Sequence, residues 1–172
     1  GQFEELGMSD EDAHRRMELM ATVTPTNIVS DAKALLAAAA DDPAAGDGPV
    51  GAVGFCMSGG LALSVARALP ERVAAVASIH GAWLVRDTED SPHLGLETVR
   101  AEVHFAWVVP DGTAPPETIA VMEQALNDAG VTYTIDRETD AQHGFAPAGP
   151  RHDPDASERH WARVFDLLDR KL

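Results

Sequence analysis

The sequence holds a single cysteine among its 172 residues. A lone cysteine excludes an internal disulfide framework and any metal site built on several thiolates. Basic charge is scarce too: 13 Lys and Arg stand against 28 Asp and Glu, for a net charge of −15. Phosphate backbones demand clustered cations, so a nucleic-acid partner is excluded. No apolar run approaches the roughly 20 residues that a membrane span needs, and no membrane partner is expected. Phosphate cradles are also missing. Residues 54–60 carry glycines, but neither the lysine of a P-loop nor the spacing of a dinucleotide fingerprint. The histidines show no pair with the spacing of a metal-binding helix, so neither a metal nor a cofactor is expected. No signal peptide follows Gly1, which points to the cytoplasm.

What is present suits one globular domain over residues 1–172. Hydrophobic residues make up 45% of the chain, enough for a core. Ser9 and the acids Asp10, Glu11 and Asp12 have the character of a helix N-terminus, and a polar helix ending near Met20 should follow. Thr24-Pro25 breaks the pattern, and a second helix is expected over 28–40. Short apolar runs at 50–55, 73–79, 103–109 and 131–135 read as strands. Helices are expected at 61–69, at 117–129 with Gly130 as its stop, and from Ser157 to the end. Residues 84–101 read as a long loop. From residue 28 the order is α-β-α-β-loop-β-α-β-α. Such alternation implies an α/β fold: a mostly parallel sheet with helices on both faces. The C-terminal ends of its strands then share one edge, where the chemistry of such sheets sits.

Polar residues with chemical potential fall just past three strand ends. Cys56 follows 50–55, Asp111 follows 103–109, and His143 follows 131–135 by a short loop. Nucleophile, acid, histidine is the chain order of an α/β-hydrolase triad. Gly54-Phe55-Cys56-Met57-Ser58 places small residues two positions to either side of the cysteine. A strand that turns abruptly into a helix needs this, because the residue at the turn is strained and its neighbours must not collide. The start of a helix also favours the thiolate. Ser58, in a looser version of the same frame, is the competing nucleophile. His143 stands beside Gly144 in a loop, where a general base can reach the nucleophile. Asp111-Gly112 is also a common turn pair. His80, at a strand end before Gly81, is placed to face the same cleft. Trp83, Trp107 and Trp161 read as packing residues.

These segments together resemble the dienelactone hydrolase family, a cysteine-nucleophile branch of the α/β-hydrolase fold. The resemblance is carried by Gly54-Phe55-Cys56-Met57-Ser58-Gly59-Gly60, Ser78-Ile79-His80-Gly81 and Asp90-Ser91-Pro92-His93. It continues in Asp111 to Pro116, His143-Gly144-Phe145 and the terminal helix with Trp161. It covers residues 9–172 and implies a triad of Cys56, Asp111 and His143. The backbone N–H of Met57 would then be one oxyanion donor. Family members extend further at the N-terminus, by roughly a third of this chain's length. That extension carries the first strands of the sheet, a second oxyanion donor and a glutamate near the resting cysteine. The sheet is therefore expected to be incomplete, and to be completed by an N-terminal fragment or a second copy. Substrate-binding arginines are not fixed by the pattern. Arg15, Arg16, Arg86 and Arg151 are candidates, with Arg151 best placed after His143.

The expected activity is hydrolysis of small carboxylic esters or lactones by a Cys-His-Asp triad, with no cofactor. The competing expectation is a non-catalytic or redox-responsive interaction module that uses the reactivity of Cys56 alone.

Overall fold

The structure, a computed structural model, describes residues 9–172. The expectation about a signal peptide after Gly1 therefore falls outside the described residues. Helix α1, Asp10–Ala21, starts at Ser9, whose hydroxyl accepts from the N–H of Asp12. Helix α2, Pro25–Ala40, begins three residues before its expected start. The supposed break is in fact its cap: Thr24 accepts from the N–H of Asn27, and Pro25 occupies the first turn, where its missing N–H costs nothing.

Strands β1 (Val50–Phe55), β2 (Val73–Ile79), β3 (Glu102–Val108) and β4 (Tyr133–Glu138) form one parallel sheet in chain order. Helix α3, Ser58–Ala68, links β1 to β2, and α4, Pro116–Ala129, links β3 to β4. Helix α5, Pro154–Lys171, ends the chain. The segment between β2 and β3 is loop except for a 3₁₀ turn at Leu96–Thr98.

Alternation along the strands divides the core into two layers. Val103, Phe105 and Trp107 of β3 pack with Leu63 of α3 and with Met122 and Leu126 of α4. Ala106 and Val108 point the other way and meet Val164 of α5 and Phe145. Helices thus cover both faces, as the alternating pattern implied.

Two boundaries moved for reasons the pattern did not carry. Helix α3 starts before its glycines rather than after them. A methyl group on Gly59 would sit 2.3 Å from Ser78 Oγ, and one on Gly60 2.7 Å from Pro92 Cγ. These glycines let the helix lie close to its neighbours; they do not break it. Strand β4 runs later than 131–135. Its register with β3 pairs Val103 with Tyr133 and Val108 with Glu138, and Val131 is spent in the buried turn after Gly130.

Candidate active site

All four strands run in one direction, so Phe55, Ile79, Val108 and Glu138 end on the same edge. Cys56 is the first residue past β1. Its backbone has φ 54°, a left-handed conformation that few non-glycine residues adopt. Bonds on both sides hold it there: its N–H donates to Ile79, and its carbonyl accepts from Gly59 and Ala82. A Cβ on Gly54 would lie 2.1 Å from the Ser58 carbonyl oxygen, so the small residue before the turn is a steric necessity. Ser58 is occupied otherwise. Its hydroxyl accepts from the N–H of Phe55 and donates to the Phe55 carbonyl, both at 2.7 Å.

His143 is carried by the loop after β4. Phe145 anchors that loop: its side chain is fully buried against the α5 layer, and its carbonyl accepts from the N–H of Asp153. The imidazole spans two partners. Its Nε2 lies 3.1 Å from Cys56 Sγ, and its Nδ1 lies 2.6 Å from Asp111 Oδ2. The other Asp111 oxygen accepts from both the N–H and the hydroxyl of Thr113, each at 2.8 Å. The structure therefore brings Cys56, His143 and Asp111 into one continuous chain of contacts.

Electrostatics follow from those contacts. The bond to His143 holds the Cys56 thiol below its usual range, against the opposing effect of burial. The contact with Cys56, helped by Asp111 and opposed by burial, raises His143 to about 9. Burial pushes the Asp111 carboxyl up, but its bonds to Thr113 and His143 outweigh this and leave it below the usual carboxylate range. At neutral pH these directions favour a thiolate–imidazolium pair beside a carboxylate. Such a set can attack a carbonyl, donate a proton and take one back.

The sequence profile of the dienelactone hydrolase family matches residues 4–172. The chain belongs to that family. A Synechocystis sp. (strain ATCC 27184 / PCC 6803 / Kazusa) protein named "Putative carboxymethylenebutenolidase" is 28% identical over 174 residues, which cover 99% of this chain and 70% of that protein. Two solved structures share the fold. One is a "Putative Dienelactone Hydrolase" from Klebsiella pneumoniae subsp. pneumoniae MGH 78578, with TM-score 0.79, 20% identity and 87% of this chain covered. The other is a dienelactone hydrolase-like promiscuous phosphotriesterase from metagenomic libraries, with TM-score 0.71, 22% identity and 85% of this chain covered. This member of the family spans 63% and 62% of the lengths of those two chains.

The remaining candidate residues lie around this centre. His80 is 3% exposed. Its ring packs on that of His143, with centroids 4.8 Å apart, and its φ is 38°. Burial, reinforced by the neighbouring His143, lowers it to about 4, so it is neutral. Arg151 is exposed and donates to the His143 carbonyl at 3.4 Å, so it borders the site. Arg86 is bound to Asp90 at 3.2 Å. Arg15 pairs with Glu18 on its own helix. Among the described residues, no group of three or more His, Cys, Asp or Glu side chains is arranged to hold a metal ion. No described helix is long and apolar enough to cross a membrane.

Two neighbours escaped the sequence reading. Thr113 orients Asp111, and its signal was visible in Asp111-Gly112-Thr113, where an aspartate commonly binds the N–H two residues on. Trp83, expected to pack, is 49% exposed, and no sequence pattern distinguishes it from Trp107.

Proposed function

We propose that this chain hydrolyses small carboxylic esters or lactones by covalent catalysis at Cys56. The observation that carries this reading is the unbroken relay from Cys56 Sγ through His143 to Asp111, with Sγ on a strained turn at the sheet edge. In the first half-reaction the thiolate attacks the ester carbonyl, and the Met57 N–H donates to the developing oxyanion. The C–O bond breaks as His143 gives its Nε2 proton to the departing alkoxide. A thioester to Cys56 remains. Neutral His143 then removes a proton from water, hydroxide adds to the thioester carbonyl, and the thiolate leaves with the acid product. Asp111 keeps the Nδ1 proton in place throughout and balances the imidazolium charge. His80 steadies the imidazole from below, and Arg151 stands at the rim, where a polar substituent of the substrate would pass.

Strand β1 is bonded on one side only among the described residues, with Gly51 and Val53 exposed. An open edge next to the nucleophile supports a further strand on β1, from an N-terminal segment or a second copy, and with it a second oxyanion donor. A missing donor of that kind lowers the rate by about 10²–10³-fold.

The test is the pH dependence of Cys56 alkylation by iodoacetamide, together with turnover of p-nitrophenyl acetate. The wild-type midpoint is expected well below the free-thiol value of about 8.5, moving up in His143→Ala. Turnover should fall by about 10²-fold or more in Cys56→Ala and in His143→Ala. Coincident alkylation profiles, or turnover that survives both replacements, would overturn the proposal. A lowered midpoint without any turnover would favour the redox-responsive module.

A further inference from the structure

Trp83 combines three properties that packing does not explain. It is half exposed, its backbone has φ 54°, and it stands between the two loops that build the relay. Left-handed backbone is costly for a bulky residue, and such strain persists where surrounding bonds enforce it. Here they do. The N–H of Ala82 donates to the Cys56 carbonyl at 3.0 Å, and the N–H of Trp83 donates to the Thr113 carbonyl at 3.3 Å. Leu84, the next residue, is fully buried in the core. The segment is thus tied to the nucleophile turn, to the Asp111 loop and to the core, while the indole is left outside. Trp107, by contrast, is 1% exposed and packs against Phe105.

The indole borders a pocket of about 80 Å³ whose walls include Pro25, Met57, Leu61 and Ala82. Met57 follows the nucleophile directly, so the pocket lies one residue along the chain from Cys56, which does not itself line it. Its size decides what it can take. Pockets for whole drug-sized ligands run to roughly 300–1,000 Å³, so this one holds a single small group. Its charge decides the rest. Arg86 is the one charged residue in the lining among the described residues, and the Asp90 carboxylate already pairs with it. On a chain of net charge −15, that leaves no unpaired cation among the described lining residues to draw in an anionic group.

We propose that Trp83 and the pocket beside Met57 form a subsite for a small, planar, uncharged aromatic group next to the scissile carbonyl, such as a phenyl substituent. This deepens the hydrolase reading and rests on it. The ring of the substrate stacks on the exposed indole face while its carbonyl oxygen meets the Met57 N–H. The strained backbone at residue 83 holds the indole in that place.

The test uses benzamide, a neutral carbonyl compound bearing a phenyl ring, to protect Cys56 from iodoacetamide, with acetamide as the ringless control. The readout is the ratio of protected to unprotected alkylation rate within each variant. In wild type, benzamide should slow alkylation severalfold at a concentration where acetamide does nothing. Trp83→Gly should raise the benzamide concentration needed for half-maximal protection by about tenfold, the scale of a lost aromatic stack with its buried area. Its melting temperature should be equal or higher, because glycine accepts this backbone conformation freely. Trp83→Phe should retain most of the protection. Equal effects of benzamide and acetamide, or protection that persists in Trp83→Gly, would overturn the subsite. Those results would leave the hydrolase reading standing, since that fails on coincident alkylation profiles or on turnover that survives both Cys56→Ala and His143→Ala.

Discussion

At the scale of single residues, the centre depends on one imidazole held between a sulfur and a carboxylate. Asp111 is where charge and orientation act together. Its Oδ2 lies 2.6 Å from His143 Nδ1, and Thr113 fixes its other oxygen. Asp111→Asn preserves the shape and removes the charge. It also leaves an amide that can present N–H to Nδ1 and so select the wrong tautomer of His143. Ester turnover should then fall by roughly 10³–10⁴-fold. His143, raised to about 9 partly by Asp111, should titrate lower in the variant, which NMR of the imidazole would follow across pH 5–10. An unchanged His143 titration would remove Asp111 from the relay. His80 illustrates a different point. Its type and place at a strand end were visible in sequence, but its burial under His143 follows from the turn at φ 38°, which no neighbour in sequence announces.

At the scale of elements, the turn from β1 into α3 is the piece that local sequence specifies best. Gly54 is required by the backbone of Ser58, and Ser58 in turn closes the strand end with two bonds to Phe55. Ser58→Ala leaves the Phe55 N–H and carbonyl without those partners. The expected cost is about 1–3 kcal/mol in urea unfolding, with Cys56 still alkylated at a lowered midpoint. Loss of thiol reactivity in a folded Ser58→Ala protein would assign Ser58 a chemical rather than a structural role. Loops were less legible than this turn. Residues 84–101 read correctly as an irregular stretch, yet nothing in their composition placed Trp83, just before them, on the site's border.

At the scale of the whole molecule, buried histidines link stability to pH. His160 is fully buried, its ring meets Phe55 and Phe145 edge-on, and neither nitrogen has a hydrogen-bond partner among the described residues. Burial, with the nearby His104, lowers it from 6.5 to about 4. The unfolded chain therefore takes up a proton in that interval that the folded chain refuses. Stability is fully present above about pH 6.5 and declines as pH falls to about 4. His160→Phe keeps a ring of similar shape and removes the titration. The stability lost between those pH values should shrink by roughly 3 kcal/mol, read from urea unfolding at each pH. A variant that keeps the full wild-type decline would move the acid sensitivity to other groups. The charge of −15 belongs to this scale as well, since it acts on solubility and on the approach of ligands rather than on the fold.

Reading along the chain was enough for the α/β class and the family, and it brought Cys56, Asp111 and His143 forward as the candidate site. Alternating apolar segments fix a parallel α/β sheet because each element must bury one face, and a cysteine between small residues at a strand end marks the strained turn because sterics act between near neighbours. Tertiary structure alone decided the rest. It shifted β4 through pairing with β3, drew Gly59 and Gly60 inside α3, whose start was expected at residue 61, and committed Ser58 to the backbone. It also put His80 under His143 and left Trp83 outside. Each of these depends on residues far apart in the chain meeting within a few ångströms, and one-dimensional spacing carries no record of such meetings.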